Sequence, residues 1–181
     1  MILKDPATDV FPARLLIVDD EEIVRRGLER LLTNDGYACA TAGTADEAWS
    51  CLENEPFSLV VLDMVLPGAT GFDFLELLRK RFPETMVVMV TALDDRDLAI
   101  RAVQMGAHGY VVKPFGRDEL LVQVAGALHH RDLVMANRQH QMKLESEVRR
   151  HTARARASQR EIILRLVAAQ QYRHDETATH I

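Results

Sequence analysis

The chain reads as an α/β protein built on one doubly wound, five-stranded parallel sheet with a long helical extension at its C-terminal end. Three observations carry that expectation. Short runs of Val, Ile, Leu and Met recur between Leu15 and Pro114, and helix-period patterns separate them. Four of the runs stop on a reactive polar residue: L-L-I-V-D-D (Leu15–Asp20), L-V-V-L-D (Leu59–Asp63), M-V-V-M-V-T (Met86–Thr91) and Y-V-V-K-P (Tyr110–Pro114). Runs that are apolar throughout suit strands covered on both faces, as in parallel sheets, and ligands bind beyond the carboxyl ends of such strands.

The elements follow in order. After a Pro-containing arm over residues 1–13, the first strand covers Leu15 to Val18. A helix follows with Ile23, Val24, Gly27, Leu28, Leu31 and Leu32 at i, i+3, i+4 spacing, and Asn34-Asp35-Gly36 ends it. A short strand near Tyr37 to Thr41 leads into Thr44-Ala45-Asp46-Glu47, a capping-box sequence opening a helix with Ala48, Trp49 and Leu52; Pro56 closes that unit. The third strand ends at Asp63. A loop with Pro67-Gly68 and Gly71 precedes a helix carrying Phe72, Leu75, Leu77 and Leu78, which stops before Pro83. The fourth strand ends at Thr91. A helix over Asp94 to Met105, with Leu98, Ile100, Ala102 and Val103, is closed by Gly106 before the fifth strand and a last helix from about Arg117. Five β-α alternations imply right-handed crossovers with helices on both faces.

With 181 residues, 48% of them hydrophobic, the chain can bury one full core and keep an appendage. A net charge of -5 argues against a protein that binds nucleic acid over its whole surface. Cys39 and Cys51 lack zinc or C-x-x-C spacing and read as buried free thiols. The N-terminal stretch has no apolar run of signal length and no later run reaches a membrane span, so a cytoplasmic protein with no membrane partner is expected.

From about Leu128 the pattern becomes one long helical stretch without Gly or Pro. Leu133, Met142, Leu144 and Val148 form a loose seam that Arg138, His140 and Arg149 interrupt, which leaves a coiled coil open. Arg149 to Arg160 is strongly basic. The amphipathic segment after it carries Ile162, Ile163, Leu166 and Val167, which call for a packing partner. We divide the chain accordingly into residues 14–130, a globular domain; 131–171, a linker helix; and 172–181, the start of a further domain.

The strand-end residues form a chemical set. A carboxylate at a strand end can take a phosphoryl group from an activated donor, and Asp63 is placed for that. The adjacent Asp19 and Asp20 complete an anionic cup that needs a hard divalent cation; Mg²⁺ suits carboxylates, waters and phosphate oxygens. Lys113 offers a compact positive charge to one phosphoryl oxygen and the Thr91 hydroxyl can donate to another. Taken singly, a strand-end acid is more often a helix N-cap, and Lys113 a surface cation. The ordered combination on four β-α edges favours the functional reading.

On these residues the sequence resembles the response-regulator receiver family of two-component signalling, from Arg14 to about His130. The resemblance implies a flavodoxin-like sheet of strand order 2-1-3-4-5, with Asp63 as phosphoacceptor. It further implies Mg²⁺ held by Asp19, Asp20, Asp63 and the backbone carbonyl of Val65, and phosphoryl contacts from Thr91, Ala92 and Lys113. Tyr110 would be the aromatic switch, and the Lys113-Pro114 peptide would be cis. Val65 and Leu93, both apolar, cannot orient a water against an acyl phosphate, so a long-lived phosphorylated state is expected; Ala92 leaves room for a partner's phosphohistidine. The implied function is phosphoryl transfer from a sensor histidine kinase or phosphotransfer protein. The signal would pass through the fourth helix, fifth strand and fifth helix to the linker helix, with no enzymatic turnover by the receiver.

The last residues, Q-Y-R-H-D-E-T-A-T-H-I, resemble the opening of the HD-GYP family of cyclic-dinucleotide phosphodiesterases, where Glu176 and His180 would match an E-x-x-x-H metal pair. The family's downstream His-Asp pair and G-Y-P motif do not occur by Ile181, so the phosphodiesterase would lie outside this chain and no metal is expected at the tail. Two alternatives stand against the receiver reading. A haloacid-dehalogenase-like phosphatase also forms an aspartyl phosphate, but wants an acid two residues after the nucleophile, where this chain has Val65. A DNA-binding regulator could use the basic Arg149 to Arg160 stretch, but no helix-turn-helix pattern follows it. The uncovered apolar residues of the long helix predict a homodimer through that helix.

Overall fold

The computed structural model describes the backbone of residues 12–92 and 94–178, and side chains through 154 together with 159 and 160. Leu93, most of the N-terminal arm, His180 and the side chains of Ile162, Ile163, Leu166, Val167 and Glu176 lie outside the described residues. The elements are β1 (Arg14–Val18), α1 (Glu22–Asn34), β2 (Ala38–Ala42), α2 (Ala45–Asn54), β3 (Leu59–Asp63), β4 (Val65–Leu66), β5 (Ala69–Thr70), α3 (Gly71–Arg81), β6 (Met86–Thr91), α4 (Arg96–Gln104), β7 (Gly109–Val112) and α5 (Arg117–Ala178).

The main sheet is parallel and ordered β2-β1-β3-β6-β7. Setting aside the two-residue strands β4 and β5, this is the expected order 2-1-3-4-5. Strand side chains alternate between the two faces, and the chain uses both. Leu16, Val18, Val60, Leu62, Val87 and Met89 pack with Leu52 of α2, Leu75 and Leu78 of α3 and Ala102 of α4. Leu15, Ile17, Leu59, Val61, Val88 and Val90 pack with Leu28 and Leu32 of α1 and with Leu120, Val124 and Ala127 of α5. Helices α1 and α5 therefore cover one face and α2, α3 and α4 the other. Each fully buried Leu, Ile or Val contributes roughly 1.5–3 kcal/mol, and it is this two-sided burial that makes the strands apolar at consecutive positions.

Several local expectations are refined. The second strand lies one residue later than expected, and the fourth helix is shorter, with Asp95 as its N-cap and the Asp95 carboxylate accepting from the Asp97 N–H at 2.8 Å. The Pro67-Gly68 loop is an antiparallel hairpin pairing Val65 with Thr70 and Leu66 with Ala69; Gly68, at φ +77°, supplies the left-handed turn residue. The capping box forms, with Thr44 Oγ1 accepting from Glu47 N–H at 3.2 Å, although Glu47 Oε2 takes the N–H of Gly43 rather than that of Thr44. Ile23, Leu77, Ile100 and Val103, assigned to helix patterns, are exposed. Cys39 and Cys51 are free thiols but only half-buried.

Helix α5 runs without interruption from Arg117 to Ala178. The chain divides into two compact units, residues 1–134 and 135–181. In the first, Leu133 and Val134 are exposed; in the second, Met142, Leu144 and Val148 are exposed. Among the described residues no helix is long and apolar enough to cross a membrane.

Candidate phosphoacceptor site

Four strands deliver four side chains to one edge. Asp19 follows β1 directly and is buried; its N–H donates to Ala42 O at 3.2 Å and its Oδ1 accepts from Glu21 N–H at 2.9 Å. Asp63 ends β3, 7% exposed, with Oδ1 accepting from Val65 N–H at 3.3 Å. Thr91 ends β6 and is fully buried. Lys113 follows β7; its backbone N–H donates to Thr91 O at 2.6 Å, and the Lys113-Pro114 peptide is cis. The Lys113 Nζ then bridges the acids, donating to Asp19 Oδ2 at 2.6 Å and to Asp63 Oδ2 at 2.9 Å.

The charges at this edge do not balance. Carboxylate oxygens of Asp19, Asp20 and Asp63 all lie within 4.8 Å of one another. At an effective dielectric constant of about 20, two carboxylates at such a separation repel by roughly 3 kcal/mol. One ammonium bridges two of the acids, and Asp20, exposed, has no ion-pair partner among the described residues. Burial pushes the Asp63 carboxyl above its ordinary range and Asp19 pushes it the same way, while Lys113 pulls it back; the net direction is up. Burial alone would lower Lys113, but its bonds to Asp19 and Asp63 and their charges prevail, and the amine stays an ammonium well into the alkaline range. An all-oxygen donor set with excess negative charge, open through Asp20, fits a hard divalent cation such as Mg²⁺.

Around the acids the environment is apolar. Val65 is 63% exposed beside the site, and no second acid occupies that position, as a haloacid-dehalogenase-like nucleophile would require. Ala92 is exposed and small. Thr91 Oγ1 lies 3.9 Å from the Met64 sulfur and shares a side-chain hydrogen bond with Tyr110. Tyr110, half-buried on β7, is pushed above the usual phenol range, first by burial and then by Asp95. The structure thus brings Asp19, Asp20, Asp63, Thr91, Lys113 and Tyr110 to the C-terminal edge of the sheet.

Two contributors are not evident from the sequence. A Cβ on Gly71 would lie 2.5 Å from Asp63 O and 2.8 Å from Met64 Cα, so only glycine lets α3 start this close to Asp63; its N–H donates to Met64 O at 2.7 Å. The Gly in P-G-A-T-G is visible, but its contact is not. Arg25 of α1 donates from Nη1 to the Asp19 carbonyl at 2.6 Å. Nothing in a run of E-E-I-V-R-R distinguishes the arginine that turns back to the strand end from its exposed neighbour, Arg26, which pairs with Glu22.

Comparison with known proteins agrees with this geometry. The family described as response regulator receiver domain matches residues 15–125. The alginate biosynthesis transcriptional regulatory protein AlgB of Pseudomonas aeruginosa is 39% identical over 137 residues, 76% of this chain and 30% of that protein. The transcriptional regulatory protein PmrA of Pectobacterium parmentieri is 39% identical over 111 residues, 61% of this chain and 50% of that protein. The chain therefore spans between 30% and 50% of the length of these relatives. Among solved structures, a CheY-like response regulator receiver domain protein from Methanospirillum hungatei JF-1 superposes with a TM-score of 0.63 at 30% identity, covering 67% of this chain and 97% of that one.

Proposed function

Since this chain belongs to the response regulator receiver domain family, the phosphoacceptor signalling domains of two-component systems, we propose that Asp63 takes a phosphoryl group from the phosphohistidine of a sensor histidine kinase or phosphotransfer protein. A carboxylate oxygen of Asp63 attacks phosphorus, the N–P bond breaks, and the imidazole leaves. The observation that carries this reading is the Lys113 bridge between Asp19 and Asp63 at 2.6 and 2.9 Å, which aims a cation at the acceptor oxygen. Asp19, Asp20 and Asp63, with the Val65 carbonyl, would hold Mg²⁺, which supplies charge neutralisation for the incoming phosphoryl oxygens. Lys113 exchanges a carboxylate contact for a phosphoryl oxygen, and Ala92 leaves the approach clear.

Switching follows from Thr91. Its hydroxyl is shared with Tyr110 in this structure, and a phosphoryl group on Asp63 would compete for it. The change passes through α4, β7 and α5, the last of which is the same helix as the linker. The output lies beyond the receiver. The Glu176 and His180 spacing supports a cyclic-dinucleotide phosphodiesterase of the HD-GYP type; the names of AlgB and PmrA support a transcriptional output instead. A relay fed from ATP places the protein in the cytoplasm.

Acetyl phosphate with Mg²⁺ tests the acceptor. Intact-mass analysis is expected to record one added phosphoryl group on the wild type and none on Asp63→Asn; equal labelling of both removes Asp63 from the role. We also propose that the long helix pairs with the same helix of a second copy, supported by exposed Leu133, Met142, Leu144 and Val148. Sedimentation of the full chain should show a dimer that a version ending at His130 loses. A monomeric full chain at tens of micromolar, or a dimer surviving the truncation, would exclude this helix as the dimerisation element.

A further inference from the structure

The carbonyl of Asp19 sits just past the last pairing of β1, where the sheet offers it no partner: Val18 pairs with Ala42, and the Asp19 N–H takes the Ala42 carbonyl at 3.2 Å. Arg25, half-buried on α1, fills that gap with a 2.6 Å bond from Nη1. The guanidinium also lies flat against Gly43, just after β2. A Cβ built there would meet Nη1, Cζ and Nη2 at 3.1, 3.2 and 3.3 Å, three nearly equal distances. No carboxylate pairs with Arg25 among the described residues, although Glu21 caps its helix and Glu22 and Glu29 lie on it. Its charge is directed to a backbone oxygen between two acids that face the acceptor.

We propose that Arg25 is a positioning residue of the cation site. By clamping the Asp19 carbonyl between α1 and the β2–α2 turn, it fixes the peptide plane from which Asp20 projects and so presents both acids to Mg²⁺. Asp19 is held at four atoms: its N–H by Ala42, its Oδ1 by Glu21, its Oδ2 by Lys113 and its carbonyl by Arg25. The bonds to Ala42 and Lys113 fix Asp19 itself, and the Glu21 bond closes a turn around Asp20. The Arg25 bond is the hydrogen bond made by the Asp19–Asp20 peptide itself, and it holds the plane of that turn against α1. Gly43 is part of the device, because a side chain there would displace the guanidinium face.

This inference rests on the reading of the acid cluster as a Mg²⁺ site, and the experiment separates the two. The full chain is titrated with MgCl₂ alone and followed by amide shifts in ¹H–¹⁵N NMR, with melting temperatures recorded without metal. The wild type should saturate and Asp20→Asn should not; if the wild type fails to saturate, or Asp20→Asn binds equally well, the cation reading falls and the inference with it. Arg25→Met should raise the dissociation constant by about tenfold, the scale of losing a group that orients a metal ligand. Arg25→Lys should recover most of that loss, since an ammonium can still donate to the carbonyl. Gly43→Ala should give a smaller rise in the same direction, and the double variant should be no worse than Arg25→Met, because both act through one contact. Arg25→Met binding Mg²⁺ within about twofold of wild type, or a Gly43→Ala effect that adds fully to it, overturns the proposal. So does a loss of affinity that merely tracks a fall in melting temperature across the set.

Discussion

The two edges of the same sheet differ in how their polar groups are matched. At the N-terminal edge side chains are matched to backbone groups one by one: Thr85 Oγ1 donates to Phe57 O at 3.0 Å, Val87 N–H donates to His108 Nδ1 at 3.2 Å, and Arg79 donates to the carbonyls of Pro83 and Thr85 at 3.0 and 3.2 Å. At the C-terminal edge, three acids meet one ammonium. The strands between the edges are the same apolar runs, so packing does not distinguish them. The difference lies in the single residues at the strand ends, and it teaches that the site is an electrostatic imbalance held in place by an apolar core.

The largest expected departure comes from removing the ammonium that bridges the acids. Lys113, 16% exposed, bridges two buried carboxylates. Lys113→Met should lower stability by about 3 kcal/mol in urea denaturation without metal, because breaking a largely buried pair leaves its partners uncompensated. Mg²⁺ should restore part of that loss. A variant as stable as wild type without metal would mean that the imbalance is already relieved some other way.

The opposite edge should respond to acid instead. His108 is held to about 4 from its ordinary 6.5, first by burial, then by the charges of Arg79 and His130, and its Nδ1 must stay unprotonated to accept from Val87. Between those two values the unfolded chain binds the proton and the folded one does not, so stability falls as pH drops from 6.5 toward 4 and this contribution is constant above 6.5. His108→Asn, which keeps an acceptor for the Val87 N–H, should flatten the dependence of melting temperature on pH in that window. An unchanged slope would place the titrating group elsewhere.

A smaller effect belongs to Val65, exposed beside Asp63. Val65→Asn gives water a hydrogen-bonding partner and should speed loss of the phosphoryl group several-fold in a time course of the labelled protein. Unchanged or slower decay would count against apolar shielding.

Much of this contrast is legible in the amino-acid sequence. Leu15–Val18, Leu59–Leu62 and Met86–Val90 read as strands because burial on both faces makes every position apolar, and the residue after each such run must lie at the C-terminal edge. That is why Asp19, Asp63, Thr91 and Lys113 can be named together. The hairpin of Val65–Leu66 with Ala69–Thr70 is not legible, since two residues carry no periodicity. Nor is the exposure of Ile23 and Val103: helical spacing shows that a face exists, but not whether the fold covers it. Arg25 and Gly71 act through close contacts with the strand ends that precede their helices, which no apolar periodicity encodes.

The most direct measurement of the central claim is the position of the phosphoryl bond itself. Protein phosphorylated with acetyl phosphate is reduced with borohydride, which converts an aspartyl phosphate to homoserine, and the peptides are sequenced by mass. Homoserine is expected at position 63, with Asp19 and Asp20 intact. Homoserine at position 19 or 20, or a phosphoryl group carried on a side chain outside this edge, would contradict it.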